Sequence, residues 1–181
     1  MARTLEPEDR AEALAALTPL ELERYDGSDG FLAGRLVLRR LGAALTGGPV
    51  EIIAVCPDCG GPHGRPEIAG STLRLSLSHG AGVVVAAADW GARVGIDIED
   101  LGQRAALEAI RSLTGEATVQ RWTRVEAILK ADGRGLRVDP SQVVIEGDVG
   151  WVRGEVTRYR LEERELAPGL RASLAVEQLS D

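Results

Sequence analysis

The sequence feature that most constrains the fold is an acidic strand motif followed by a helical motif. The segment VGIDIED carries Asp97 and Glu99, and the segment WTRVEAILKADGRGL carries Glu126 and Lys130. Side chains alternate between the two faces of a strand, so Asp97 and Glu99 share one face. Residues four apart share a face of a helix, so Glu126 and Lys130 do too. Packing this helix against this strand would bring three carboxylates and one ammonium group together.

This convergence makes the three acids candidate metal ligands. An acidic pair that emerges from an apolar strand is costly to bury unless a cation or a metal accompanies it. Oxygen donors without cysteine or histidine suit Mg²⁺, and Mg²⁺ beside Lys130 suits a polyphosphate substrate. The plainer alternative is that the acids are solvated at a strand end. Glu126 and Lys130 would then be an ordinary surface-helix pair, worth about 0.3–0.5 kcal/mol.

The overall composition limits the class of partner. The chain has 181 residues, 44% of them hydrophobic and 27% charged, as is typical of globular proteins. The formal net charge of −7 argues against nucleic acid as the main partner, although Arg35, Arg39 and Arg40 form a local basic patch. No apolar run approaches the roughly 20 residues that span a bilayer, and the N-terminus lacks the pattern of a signal peptide. We therefore expect a cytoplasmic protein without membrane association.

The order of the predicted elements favours the α+β class. Helical patterns come first, and strands, helices and again strands follow, which is a block order rather than a doubly wound one. Thr18 and Glu21 have the spacing of a capping box. The predicted helices are Leu5–Leu17, Thr18–Arg24, Phe31–Leu45, Ala105–Leu113 and Ala117–Ala131. The predicted strands are Val50–Val55, Leu73–Ser78, Val83–Ala88 with Ala92–Ile98 as its hairpin partner, Val143–Ile145, Gly150–Arg153, Thr157–Leu161 and Arg171–Val176.

Two further segments carry candidate ligand-binding residues. Ser78 and His79 end a strand pattern just before Gly80, where a backbone can approach a ligand closely, and His79 could donate to a phosphate oxygen. A structural role is the plainer reading of a single histidine there. Arg65, in the loop tripeptide GRP, has the fork geometry that suits phosphate, but it is equally consistent with a solvated loop arginine.

A loop motif raises the question of zinc. Cys56, Cys59 and His63 provide at most three zinc ligands, and the chain has only one other histidine and no other cysteine. A redox role is disfavoured because no βαβ pattern surrounds the two cysteines. A structural disulfide is not expected in a reducing compartment. The sequence therefore favours a reduced, metal-free turn over a zinc site.

Several of these motifs together resemble a known family. The matching segments are FLAGRLVL at 31–38, GRP at 64–66, LSH at 77–79, GIDIE at 95–99, and the helical motif at 122–136. In this order and spacing they resemble the 4′-phosphopantetheinyl transferase superfamily in its single-chain, surfactin-synthetase-activating form. The resemblance covers residues 20–136.

The resemblance implies both a fold and a reaction. The fold would be α+β with two similar lobes related by a pseudo-twofold axis, which we place at residues 1–88 and 89–181, with coenzyme A and Mg²⁺ in the cleft between them. The reaction moves 4′-phosphopantetheine from coenzyme A to a serine of an apo acyl or peptidyl carrier protein and releases adenosine 3′,5′-bisphosphate. The carrier would belong to a polyketide, nonribosomal peptide or fatty acid synthase, and the enzyme would be a monomer.

The resemblance also implies a role for each motif residue. Glu126 is the candidate base for the acceptor serine, directly or through a bound water, and Lys130 neutralises a pyrophosphate oxygen. Arg65 and His79 would contact the phosphates of coenzyme A, with Ser78 near the nucleotide. The implied Mg²⁺ ligands are Asp97, Glu99 and Glu126.

Two departures from the family pattern keep other functions open. The family usually has a lysine immediately before the motif glutamate, where this chain has Val125, so a cationic contact is missing or is supplied by Arg124 or another residue. The segment between Glu99 and Trp122, which helps to form the acceptor surface in the family, is short. The alternatives are a catalytically silent relative that still binds coenzyme A, and a small zinc-stabilised interaction protein built around the cysteine motif.

Overall fold

Two compact units, Met1–Trp90 and Gly91–Asp181, make up the chain. The computed structural model describes residues 5–102, 111 and 118–179. Each unit combines helix with an antiparallel sheet, so the predicted α+β class is confirmed. The division follows Trp90 rather than Ala88, where the sequence analysis placed it. No helix in the described part of the chain is both long and apolar enough to cross a membrane.

The first unit begins with three helices. They are α1 (Pro7–Ala15), α2 (Pro19–Arg24) and α3 (Asp29–Thr46). The capping box at the start of α2 is confirmed, because the Glu21 amide donates to Thr18 Oγ1 over 3.3 Å and the Thr18 amide donates to Glu21 Oε2 over 2.9 Å. Because both side chains satisfy backbone donors at the helix start, they fix where this short helix begins.

The sheet of the first unit is antiparallel and packs against α3. Its strands follow the order β1 (Ile52–Ile53), β2 (Glu67–Ile68), β3 (Leu73–Gly80) and β4 (Val83–Trp90). The predicted strand Val50–Val55 is wrong in length, since only its centre pairs with β2. The loop that follows turns back at once through backbone hydrogen bonds of its own, which leaves few residues for the ladder.

The strand pairing corrects the predicted hairpin between Val83–Ala88 and Ala92–Ile98. β4 pairs with β3 instead, across a turn formed by Ala81 and Gly82. Both turn residues have positive φ angles, 50° and 73°, as the tight hairpin turns that match strand twist require. Because this two-residue turn joins β3 directly to β4, the two strands pair with each other. The strand that follows Gly91 belongs to a different sheet.

The described residues of the second unit form a five-stranded antiparallel sheet with a helix on one face. The strands are β5 (Val94–Asp100), β6 (Val143–Glu146), β7 (Val149–Val152), β8 (Tyr159–Ala167) and β9 (Leu170–Glu177), in the order β5-β9-β8-β7-β6, and the helix is α4 (Val119–Asp132). Val125, Ile128 and Leu129 of α4 join Tyr159 and Ala175 of the sheet in one buried core cluster. Apart from position 111, the predicted helix Ala105–Leu113 lies outside the described residues, as does the predicted start of α4 at Ala117.

Gly95 determines how closely α4 approaches β5. A Cβ atom at this position would overlap the carbonyl oxygen of Ala127 and the amide nitrogen of Ala131. The helix backbone therefore lies directly on the strand backbone at this point. A glycine inside a strand often marks such a close approach.

We predict that Gly95→Ala destabilises the fold. The added methyl would push α4 away from β5, and overpacking of this kind costs about 1–3 kcal/mol or more. Urea denaturation should show a lower free energy of unfolding. Gly48→Ala is the control, because a Cβ there meets no atom within 4 Å and should change stability by no more than about 0.5 kcal/mol. Equal stability of both variants would show that the close packing of α4 is unimportant.

Candidate functional site

The packing of α4 against β5 places an ion pair in the second unit. Lys130 Nζ donates to Asp97 Oδ1 over 2.7 Å. Asp97 is only 5% exposed, and the Lys130 side chain is partly buried beside it. Asp97 also pairs across the sheet with Ser173, whose hydroxyl hydrogen bonds to Thr123 of α4 over 2.9 Å. The carboxylate of Asp97 therefore lies on the sheet face that α4 covers.

Three residues of α4 form a row along this face. Trp122, Glu126 and Lys130 are four residues apart from one another, so they lie on successive turns of the helix. Lys130 meets Asp97 at one end of the row. At the other end Trp122 lies close enough to Glu99 to lower the pKa of that carboxyl group. Helix and strand therefore run in opposite directions, and the functional side chains of each face those of the other.

Sequence reasoning did not assign the contact between Trp122 and Glu99. The tryptophan marked only the start of the helical motif. Its indole has a single N–H donor, which usually finds a partner when the ring is partly buried. The helical spacing from Glu126 was the available signal, because it places Trp122 on the same face as the other site residues.

The electrostatics show that the three acids lie close enough to repel one another. Burial raises the pKa of Glu126, the negative charges of Asp97 and Glu99 raise it further, and Lys130 partly offsets them. Burial also raises the pKa of Glu99, and the charge of Asp97 adds to the effect. Lys130 and the hydrogen bond from Trp122 lower it. The charges of neighbouring acids therefore add to the effect of burial on both glutamates, and Lys130 opposes them.

These donors fit a hard divalent cation in kind. All are carboxylate oxygens, which suit Mg²⁺, and their mutual repulsion would be relieved by a positive ion among them. The carboxylate oxygens of the three acids do not all lie within 4.8 Å of one another. Among the described residues, the ligand atoms of Cys56, Cys59 and His63 do. Asp97 binds the ammonium group of Lys130.

The structure shows where the residues before Glu126 point. Val125 is fully buried, at 0% exposure, within the core of the second unit. The guanidinium group of Arg124 donates to the carbonyl oxygen of Gly147, between β6 and β7. Arg124 thus contacts the turn between β6 and β7, at the edge of the sheet opposite β5. Val125 contributes an apolar side chain to the core, so position 125 provides no cation.

The predicted coenzyme A contacts lie in the first unit, along or beside β3. Arg65 is half-buried, and its Nε donates to the Leu75 carbonyl oxygen over 3.4 Å. His79 is exposed, and its Nε2 lies 3.2 Å from the Gly30 carbonyl oxygen at the start of α3. Ser78 is buried. As neighbours on one strand, Ser78 and His79 point to opposite faces of the sheet.

The predicted basic patch on α3 is largely neutralised within the first unit. Arg35 and Arg39 both form ion pairs with the buried Glu21 of α2. Arg40 contacts Asp9 and Glu12 of α1, each over 2.6 Å. Acidic residues of α1 and α2 thus neutralise the arginines on this face of α3. This face is not a strongly cationic surface for an anionic partner.

The comparisons with known proteins leave the function to be argued from the site itself. A scan against models of protein families found no match, and a search of curated proteins found none either. The site offers a partly buried ion pair and two carboxyl groups with raised pKa values, one of them beside Trp122. Such an arrangement can bind a cation together with a phosphate group, and the raised pKa values make the two carboxylates stronger bases than exposed glutamates.

We predict that Glu126→Gln stabilises the protein in the presence of a chelator, and that the gain depends on pH. Because the pKa of Glu126 is raised in the fold, the folded state binds a proton more tightly than the unfolded state does. The contribution of Glu126 to stability is therefore fully present below the ordinary pKa of 4.5 and is lost as pH rises through the raised pKa. The variant lacks this loss, so its advantage should grow from pH 4.5 toward neutrality.

Urea denaturation at a series of pH values measures this effect. Glu146→Gln is the control, since Glu146 is an exposed residue at the end of β6 and tests the loss of one negative charge outside the site. A stability difference between Glu126→Gln and the parent that stays constant with pH would contradict the electrostatic reading of the site.

Proposed function

We propose that the protein is a Mg²⁺-dependent 4′-phosphopantetheinyl transferase. It would transfer phosphopantetheine from coenzyme A to a serine of an apo acyl or peptidyl carrier protein and release adenosine 3′,5′-bisphosphate. The observation that supports this most directly is the arrangement of Asp97 and Glu99 on β5 against Glu126 and Lys130 on α4. This donor set suits a cation bound to a pyrophosphate, and the motif order along the chain resembles that of the transferase family.

The reaction requires charge neutralisation and one proton transfer. The serine oxygen of the carrier forms a bond to the phosphorus that bears pantetheine, and the bond from that phosphorus to the bridging oxygen breaks. Adenosine 3′,5′-bisphosphate leaves with the electron pair of the broken bond. Phosphoryl transfers of this kind depend on positioning and electrostatics more than on covalent help from the protein.

The residues of the second unit match these requirements. Asp97, Glu99 and Glu126 would hold Mg²⁺, which when bound neutralises charge on the pyrophosphate and on the departing bisphosphate. Lys130, oriented by Asp97 over 2.7 Å, supplies a positive charge to a pyrophosphate oxygen. The raised pKa of Glu126 brings this carboxylate closer to the range in which it accepts the serine proton effectively. Trp122 lies beside Glu99 and lowers the pKa of its carboxyl group.

The proposal assigns further roles to the first unit. Arg65 and His79 would contact phosphates of coenzyme A, and Ser78 would lie near the nucleotide. It also includes the finer description of the fold, in which the two units are similar lobes related by a pseudo-twofold axis. In the described part of each unit a long helix packs on an antiparallel sheet, α3 in the first and α4 in the second, which is compatible with that description.

A second candidate function is coenzyme A binding without transfer. The observation that favours it is the pair of positions before Glu126, where Val125 is buried in the core and Arg124 binds Gly147. The site then lacks a cation that the transferase family usually has. Calorimetry separates the two functions, because a silent relative binds coenzyme A but yields no product.

We predict transfer of phosphopantetheine to at least one carrier protein. The purified protein would be incubated with coenzyme A, Mg²⁺ and a panel of apo carriers from polyketide, nonribosomal peptide and fatty acid synthases. Intact-mass spectrometry should detect the phosphopantetheine addition on the carrier serine, and chelation of Mg²⁺ should abolish it. Binding of coenzyme A without transfer to any carrier would replace the first proposal with the second, and absence of binding would remove both.

We predict that Asp97→Asn reduces turnover by at least about 100-fold, the loss expected when a preorganised electrostatic group is removed. The variant lacks one metal ligand charge and the ionic partner of Lys130. Stability should change by only about 1 kcal/mol, because the amide still accepts a hydrogen bond while repulsion with Glu126 and Glu99 falls.

The matched control is Asp100→Asn, on the same strand. Asp100 Oδ1 accepts a hydrogen bond from the Gly102 amide over 2.8 Å, and asparagine preserves this turn. Turnover measured by carrier mass, together with urea denaturation of each variant, decides the matter. Full activity of Asp97→Asn, or an equal loss in both variants, would contradict the assigned role of Asp97.

A further inference from the structure

The loop between β1 and β2 brings two cysteines and a histidine together. Ligand atoms of Cys56, Cys59 and His63 all lie within 4.8 Å of one another. The Cys59 sulfur is 3.0 Å from His63 Nε2. Two sulfurs and an imidazole nitrogen are the donor types that zinc prefers in proteins, whereas they suit Mg²⁺ poorly. The sequence alone favoured a metal-free turn, because it did not show that the three side chains converge.

The backbone of this loop is folded to present the two sulfurs. The Gly60 amide donates to the Cys56 carbonyl oxygen over 2.9 Å, and the Cys56 amide donates to the Gly61 carbonyl oxygen over 2.8 Å. Gly60 has a φ of 73°, which the tight turn requires. The Gly61 amide also donates to the Cys59 sulfur over 3.4 Å.

The loop is also anchored to the rest of the first unit on both sides of the cluster. The Gly64 amide donates to the Ala54 carbonyl oxygen over 2.7 Å, and a Cβ on Gly64 would overlap the backbone of Val55. The Arg24 guanidinium group donates to the Pro62 carbonyl oxygen over 2.5 Å. Cys56 is 7% exposed, whereas Cys59 and His63 are exposed. The cluster thus has a fixed, buried base and an open side.

We propose that Cys56, Cys59 and His63 bind a zinc ion in the first unit. Zinc usually has four ligands. The fourth position is left to a water molecule or to Asp58, whose Oδ2 lies 4.0 Å from the Cys56 sulfur. The ion joins the two ends of the loop 56–63 and so fixes the segment that leads directly into Arg65. This metal is distinct in chemistry and in location from the Mg²⁺ assigned to the acids of the second unit.

Metal analysis of the full chain tests the proposal. Protein purified without chelators or a histidine tag should contain about one zinc per chain. Cys59→Ser and His63→Ala should each reduce this at least about tenfold, since each removes one of three protein ligands. Both residues are exposed, so these variants should keep the fold, as circular dichroism can show. Pro57→Ala is the matched control, because it alters the same loop without removing a ligand and should retain zinc.

Spectroscopy and thiol chemistry give independent readouts. Co²⁺ added to the reduced, metal-free protein should produce a thiolate-to-cobalt charge-transfer band that excess Zn²⁺ removes and excess Mg²⁺ does not. In the zinc-loaded protein both cysteines should resist a thiol reagent until a zinc chelator is added. Absence of zinc and of the cobalt band in folded, reduced protein would overturn the proposal. Zinc retention by both ligand variants, or thiols released only by a reductant, would also overturn it.

Discussion

The candidate site depends on the contact between the backbones of α4 and β5. Gly95 allows it, because a side chain there would overlap Ala127 and Ala131. With the helix this close, Lys130 reaches Asp97 and Glu126 lies near both acids of the strand. A greater separation would admit water between the groups and weaken their interaction. Gly95 thus determines how strongly the charged groups of β5 and α4 interact, although it carries no charge itself.

The sequence predicted the local elements better than their partners. The capping box at Thr18 and Glu21 was predictable, because its atoms are three residues apart in the chain. The partner of β4 was not, because the predicted turn at Trp90 and Gly91 competed with the true turn at Ala81 and Gly82. Periodicity indicates which face of an element is apolar but does not identify the neighbour that covers it.

The same distinction holds for the site. Strand alternation and helical spacing placed Asp97, Glu99, Glu126 and Lys130 on faces that could meet, and the structure places them on facing surfaces of β5 and α4. Periodicity could not show that Lys130 binds Asp97 directly. Nor could it show that the cysteine loop closes on His63, since loop geometry depends on backbone hydrogen bonds that no spacing rule encodes.

The strand order of the second unit has a mechanical consequence. β5 lies at an edge of its sheet and pairs along its length with β9, with Val94 opposite Val176 and Asp97 opposite Ser173. The first and last strands of this unit are therefore neighbours whose outer ends lie side by side. A force pulling those ends apart would unzip the ladder one pair at a time instead of shearing it. Since Asp97 and Glu99 lie on β5, such tension would take the candidate site apart before the remaining strands separated.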